Sequence, residues 1–445
     1  MDEQTLRSGY GSHLLTRIEK AEAALAASGL EAMVLHAGTP LRYHADDMEA
    51  PFRPNPHFAH WTPLPGPYHL LVVRPGRRPR LIRVAPEDYW YEQTPLGDPF
   101  WAADYEIVEV ADETAAWREA APGAGWAYVG DAPARAAAAG VPEDGLNPAE
   151  LVARLDWDRS YKTAYEVACI EEAGRLAGLG HEAARRAFLA GASELEIHHA
   201  YVRAAGCVDA GLPYESIVAT DGKGAILHYT GKRTAPAERV LLIDSGATFL
   251  GYASDVTRTW LRGDDPDPVF RDLVAGMDAL EQELCAMVAP GLPYPELQFA
   301  AHRKLADLLF GLGVIRLGGE AAAEAGLTAP FMPHGVGHFL GIQTHDVSGR
   351  QAAPEGGEVP PPAAHPFLRT TRTIEEGQVF TIEPGCYFIE MLLRPYREGE
   401  QKDQFDWSLI ERLAPWGGVR IEDDLLATAY GSRNLTRPTN PAWPG

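Results

Sequence analysis

Asp244 ends the apolar run Val240-Leu241-Leu242-Ile243, and Asp255 stands eleven positions on, after a turn at Gly246 to Gly251. In a hairpin that spacing can put both side chains on one face, where two anions repel unless a cation lies between them. Further on come His338 in Pro333-His334-Gly335-Val336-Gly337-His338, Glu383 in Thr381-Ile382-Glu383-Pro384-Gly385, and Glu422 in Val419-Arg420-Ile421-Glu422-Asp423. Each stands in apolar or glycine-rich surroundings, where an isolated charge is costly. Four carboxylates and one imidazole form the donor set that two adjacent divalent cations require. The chemistry this points to is metal-assisted hydrolysis.

Taken singly, these residues have plainer readings. The aspartates could be solvated turn residues, His338 a satisfied core histidine, and Glu383 and Glu422 solvent-facing strand ends. Five donors in four separate segments make a joint signal that those readings leave as strain. The segment His334–His338 is not the helical HExxH zinc motif, because its two glycines disfavour a helix and no Glu follows the first His. The chain has no Gly-x-Ser-x-Gly elbow, Walker A loop, dinucleotide fingerprint or cysteine zinc knuckle. His198, His199 and His302 fall on predicted helices and read as surface or capping groups.

The elements that must position these donors follow from periodicity. Leu14, Leu15, Ile18, Ala21, Ala24 and Leu25 recur at helical spacing before a stop at Gly29. Short β-like runs follow at Ala32–His36, His69–Val73, Arg80–Val84, Tyr105–Val110 and Trp126–Val129, alternating with helical stretches Glu113–Ala121 and Pro133–Ala139. That alternation predicts a small α/β domain. Residues 45 to 66, rich in Pro, His and aromatics, form a long loop, the kind that is usually functional or interfacial. A boundary is placed near residues 152 to 160, giving domains 1–158 and 159–445. A long helix then runs from about Thr163 to Ala190, and Ser193 with Glu196 is a capping box opening the next one. Helices near 267–289 and 294–311 precede a second set of strands carrying the last three donors. The repeated order suggests two similar halves with the metal site between them. Pro354, Pro360, Pro361, Pro362 and Pro366 mark a proline-rich excursion over residues 351 to 366.

Bulk composition agrees with an enzyme. Of the 445 residues 46% are hydrophobic and 23% charged, normal for a globular protein too long for one core. A net charge of −23 repels phosphate backbones, so no nucleic-acid partner is expected. No run approaches the roughly 18 apolar residues of a membrane span, so no membrane partner is expected either. The start Met1-Asp2-Glu3-Gln4-Thr5 has no basic or apolar leader character. Cys169, Cys207, Cys285 and Cys386 are far apart and read as buried reduced thiols, consistent with a cytoplasmic location.

Together these motifs closely resemble the pita-bread metallopeptidases: prolidase, aminopeptidase P and methionine aminopeptidase. The chain is most similar to the bacterial Xaa-Pro dipeptidase branch, which includes the organophosphorus acid anhydrolases. The likeness extends to Asp46-Asp47-Met48, Pro51-Phe52 and Asn55-Pro56, then to Trp157 through Thr163, Pro213 through Ala219, Leu227-His228-Tyr229-Thr230 and Leu368 through Arg372. The resemblance implies an α/β (α+β) fold, with a small N-terminal α/β domain before a pita-bread catalytic domain of two pseudo-symmetric halves. It implies a homodimer and two Mn²⁺ ions per subunit, with Co²⁺ or Zn²⁺ able to substitute. Asp244, Asp255, His338, Glu383 and Glu422 are then the metal ligands, Asp255 and Glu422 bridging. His228, His334 and His345 resemble the histidines around the metals. Arg369 and Arg420 resemble arginines that receive the substrate's carboxylate.

The function implied is hydrolysis of dipeptides with C-terminal proline by a hydroxide bridging two divalent ions. Glu383 is its base, and His345, then His228, stabilises the oxyanion. A proline imide nitrogen carries no hydrogen, so specificity must come from an apolar ring pocket and a fixed positive charge. Side activity on organophosphorus triesters follows from their tetrahedral centre, with Tyr214 and Leu227 as pocket walls. Two rival readings are an aminopeptidase P, acting on longer peptides, and a binding protein that kept the shell without its chemistry.

Overall fold

The computed structural model describes residues 3–90, 92, 94–263 and 266–437. Met1 and Asp2, part of the start read above for leader character, lie outside them. The chain divides into two compact units: Met1–Ala168 with Ala352–Gly357, and Cys169–Gln351 with Glu358–Gly445. Residue 158 falls in the last turn of helix Ala149–Arg159.

In the first unit, five strands form a mixed sheet in the order Glu106–Val110, Arg80–Val84, Leu70–Val73, Ala32–His36 and Trp126–Val129. The central strands Ala32–His36 and Leu70–Val73 are wholly buried, which explains their continuous rather than alternating apolar character. Helix Glu113–Ala120 lays Ala116, Trp117 and Ala120 against Val34, Val72 and Ile82. Helix Glu3–Ala27 buries Tyr10, Leu14, Ala21, Ala24 and Leu25, while Leu15 is 70% exposed. The inner face expected to hold Leu15 instead carries the buried polar residues His13 and Arg17. Their partners are local: His13 reaches Thr163 and the carbonyl of His60, and His60 bonds Glu166.

The second unit repeats one plan. Helix Glu194–Ala205 opens on the expected Ser193/Glu196 capping box. It precedes an antiparallel sheet ordered Thr257–Leu261, Val240–Asp244 and Ile217–Thr220. Helices Pro268–Met287 and Pro295–Gly311 precede a second antiparallel sheet, Val379–Ile382, Asp423–Thr428 and Gly431–Asn434. Both helices feed one apolar core, through Leu273, Met277 and Leu284 from the first and Leu297, Leu305 and Leu309 from the second. An isolated bridge between Thr257 and Glu422 joins the two sheets, and that join is where the donors gather.

Cys169, Cys285 and Cys386 are buried as expected, whereas Cys207 is only half-buried. Two of the helical histidines read as surface or capping groups are buried: His198 lies between Ser216 and Asp209, and His302 against Thr328. His199 is exposed. Among the described residues no helix is long and apolar enough to cross a membrane.

Candidate metal centre

Asp244 is the last residue of its strand and pairs with Thr257, so Asp255, two residues before Thr257, shares its face diagonally. The connection is longer than a single turn. Thr248–Phe249 and Tyr252–Ala253 pair as a small hairpin, whose tip residues Leu250 and Gly251 both have positive φ, 49° and 90°. Gly246 is obligatory here, since a Cβ would lie 1.9 Å from the carbonyl oxygen of Ser254.

The loop Pro333–His338 is stitched to strand Val379–Ile382. His338 N–H donates to the Thr381 hydroxyl at 3.1 Å, Thr381 N–H to the His338 carbonyl at 2.9 Å, and Glu383 N–H to the Val336 carbonyl at 2.8 Å. A Cβ on Gly337 would meet the Thr381 carbonyl oxygen at 2.0 Å, so only glycine allows this approach. His338 and Glu383 thereby converge: His338 Nε2 lies 3.5 Å from Glu383 Oε1 and 3.4 Å from Asp255 Oδ2. Donor atoms of Asp255, His338 and Glu422 all lie within 4.8 Å of one another, and these three residues are 5%, 3% and 2% exposed. Glu422 joins through Thr257, whose hydroxyl donates to its Oε2 at 2.6 Å.

The neighbours leave suitable atoms facing inward. His338 Nδ1–H donates to the Phe339 carbonyl at 3.0 Å, which fixes the tautomer and presents the Nε2 lone pair to the carboxylates. Tyr214 donates to Asp255 Oδ1 at 2.5 Å. Asp244 Oδ2 takes Arg420 Nη2 at 2.6 Å, while its Oδ1 is buried with no hydrogen-bond partner. An orphaned carboxylate oxygen beside three other carboxylates is suited to holding a cation.

Electrostatics point the same way. Burial drives Asp244 and Glu422 above the usual carboxylate range, and Asp255 adds to both; Arg420 opposes. Glu383 is pushed up to about 7, chiefly by burial, against the pull of His338 and Arg420. Burial would lower His338, but the Asp255 hydrogen bond and the charge of Glu383 raise it. Two carboxylates about 4 Å apart repel by about 4 kcal/mol at an effective dielectric of 20. Four carboxylates against one guanidinium leave three negative charges that divalent cations would neutralise. The donor set fits such ions.

The other expected residues are spread differently. Arg420, expected to receive a substrate carboxylate, is bonded within the protein. Its Nη1 donates to Tyr387 Oη at 2.8 Å, its Nε to Thr257 at 3.2 Å and its Nη2 to Asp244, with the residue 5% exposed. Three of its five N–H donors are thus engaged within the protein. His334, counted among the catalytic histidines, also has both nitrogens engaged, Nδ1 with the Gly335 carbonyl at 2.8 Å and Nε2 with Tyr387 Oη at 3.0 Å. Burial holds it down to about 4, so it is neutral. His345 sits edge-on to His338, ring centroids 4.4 Å apart, and is lowered to about 4 by burial, then by His338 and Arg369. His228 and Arg369 are exposed, and His228 lies near enough to His334 and His345 to disfavour their protonation. Leu227 is half-buried against Ile217, Ala219, Leu242 and Tyr387. Tyr214, expected as a pocket wall, is also a hydrogen-bond partner of Asp255.

Thr257, Thr381 and Tyr387 were not singled out from sequence. Only their places beside donor-bearing strands mark them, and strand neighbours are invisible without the register.

Residues 168–429 match the model described as metallopeptidase family M24, and residues 8–157 the model for the Xaa-Pro dipeptidase N-terminal domain. The chain belongs to metallopeptidase family M24. It is a metal-dependent peptidase with the pita-bread fold of that family. Among M24 relatives, it is 41% identical over 442 residues to an Xaa-Pro dipeptidase of Stenotrophomonas maltophilia, with 96% of each chain covered. It is 40% identical over 452 residues to one of Pectobacterium atrosepticum, covering 99% of this chain and 100% of the relative. In fold, it is similar to proline aminopeptidase P II of Yersinia pestis, with a TM-score of 0.72, 22% identity and 99% and 97% of the two chains covered. A zinc-substituted Escherichia coli aminopeptidase P in complex with product gives 0.69 at 21% identity, covering 99% and 96%.

Proposed function

We propose that this M24 peptidase is an Xaa-Pro dipeptidase that cleaves dipeptides ending in proline, with two Mn²⁺ ions per subunit, as a cytoplasmic homodimer. The observation that carries the reading is the convergence of His338, Asp255, Glu422 and Glu383, with Asp244 alongside, in a chain similar to Xaa-Pro dipeptidases over nearly its full length. Asp244, Asp255, His338, Glu383 and Glu422 would hold the ions. Oxygen donors with a single imidazole suit Mn²⁺ better than a thiolate-seeking zinc site. Two such ions, when bound, supply an activated water and polarise the scissile carbonyl.

The chain's own residues do the rest. Glu383, raised by burial, accepts a proton at a carboxylate oxygen and returns it to the leaving imide nitrogen. His345 stabilises the developing oxyanion as a hydrogen-bond donor from its neutral ring, with His228 as the second imidazole at the opening. Arg420 keeps Asp244 charged and oriented. Arg369, exposed near His345, is the arginine left to meet the dipeptide's carboxylate. Tyr214 and Leu227 border the substrate, and phosphotriesters are a secondary substrate class.

The test is hydrolysis of Ala-Pro, Gly-Pro and an Xaa-Pro tripeptide with added Mn²⁺. Cleavage of the dipeptides alone supports the proposal, cleavage of the tripeptide alone favours an aminopeptidase P, and no cleavage favours a binding shell. Asp255→Asn is expected to abolish activity and metal retention together; persistence of both removes Asp255 from the site.

A further inference from the structure

Gln298 lies on helix Pro295–Gly311, is 1% exposed, and carries a polar side chain into the apolar core beneath the His334–His338 loop. An amide placed there loses its hydration, so its contacts must repay that cost. They are specific. Oε1 accepts the N–H of Val336 at 2.7 Å, and Nε2 donates to the carbonyl of His334 at 3.2 Å. Val336 N–H can only donate, so the amide's orientation is fixed. Nε2 also points at His302 Nε2, 3.0 Å away. His302 Nδ1–H donates to Thr328 Oγ1 at 2.8 Å, so its Nε2 is the accepting nitrogen; burial, lowering His302 to about 3, keeps it neutral.

The loop residues that Gln298 grips are each one step from the site. The Val336 carbonyl accepts the N–H of Glu383, and two residues on stands His338. On the other side His334 reaches Tyr387, which takes Arg420, which holds Asp244. The loop's two glycines have no side chains of their own to anchor it. One amide therefore fixes the loop that carries His338 and that accepts the backbone N–H of Glu383.

We propose that Gln298 is a positioning residue for the metal centre, setting the placement of His338 and Glu383 by clamping the backbone of His334 and Val336. The inference rests on the ligand assignment above, and its test is separable from that reading.

Gln298→Met keeps volume and removes both clamps. Mn²⁺ affinity, measured by competition with a chelating dye, is expected to weaken about 10- to 100-fold, the range for losing a partner of a ligand. With subsaturating metal, kcat falls while KM for Ala-Pro stays within about twofold. Gln298→Glu keeps the acceptor toward Val336 and is expected to bind Mn²⁺ more tightly than the Met variant. Leu309→Ala, a fully buried core change on the same helix, is the control and should lower Tm with Mn²⁺ affinity near wild type. Unchanged Mn²⁺ affinity in Gln298→Met, equal weakening in Leu309→Ala, or tighter binding by Met than by Glu each overturns the inference. Retention of metal by Asp255→Asn would instead strike the ligand assignment itself.

Discussion

Arg420 and Asp244, 176 positions apart in the chain, form a 2.6 Å charge-assisted hydrogen bond between the last residue of strand Gly418–Arg420 and the last residue of the central strand Val240–Asp244. The pair is almost buried, with side chains 6% and 14% exposed. A guanidinium so placed favours the charged form of Asp244, the residue proposed above as a metal ligand.

Replacing Arg420 by Lys should therefore damage metal binding and dipeptide turnover together. Lys is a single point charge and cannot reach Asp244, Tyr387 and Thr257 from one planar group. A loss of about 10- to 100-fold in Mn²⁺ affinity is expected. Dipeptide and neutral ester substrates should suffer equally. Selective loss on the dipeptide, measured as kcat/KM, would restore Arg420 to the substrate carboxylate.

Arg369→Ala should behave in the opposite way. KM for Gly-Pro should rise at least about 10-fold, on the scale of one charged hydrogen bond of about 1.5 to 3 kcal/mol. Mn²⁺ affinity should stay unchanged. Equal metal loss would place Arg369 with the structural arginines.

Tyr387→Phe removes one hydroxyl serving both Arg420 and His334. Leaving buried partners unsatisfied costs about 1 to 3 kcal/mol. Urea unfolding should show that loss, with metal affinity reduced less than in the Arg420 variant.

His302 gives a pH prediction with a definite sign. Its folded-state value, about 3, lies below the unfolded value of about 6.5, so the unfolded chain binds the extra proton. Its contribution is fully present above pH 6.5 and is lost as pH falls from there toward 3. The slope is about 1.4 kcal/mol per pH unit. Urea midpoints at fixed Mn²⁺ between pH 6 and 4.5 should fall less steeply for His302→Gln than for wild type.

Much of this was legible in the sequence for physical reasons. A carboxylate directly after an apolar run, as at Asp244 and Glu383, is costly enough to be conspicuous, and the glycines of the His334–His338 segment announce close backbone approach. The Ser193 capping box and the buried strands of the first unit follow from local patterns, and local patterns are what a sequence displays. The pairing of Arg420 was hidden because its partner in space is Asp244 on a distant strand, which no neighbour in sequence announces. His302 misled because a helical histidine looks the same whether it faces water or, as here, Thr328 and Gln298. Leu15 leaves its expected face because the inner side of that helix carries Arg17 toward polar groups such as His60.

The division of donors between the two sheets has a consequence for how the protein acquires its ions. The first half contributes Asp244 and Asp255, the second His338, Glu383 and Glu422. On the ligand assignment proposed above, a nascent chain that stops short of residue 338 carries two of the five donors and lacks both His338 and Arg420. A site assigned in that way is complete only when the last strands have been made, so metal content would report finished molecules and not halfway ones.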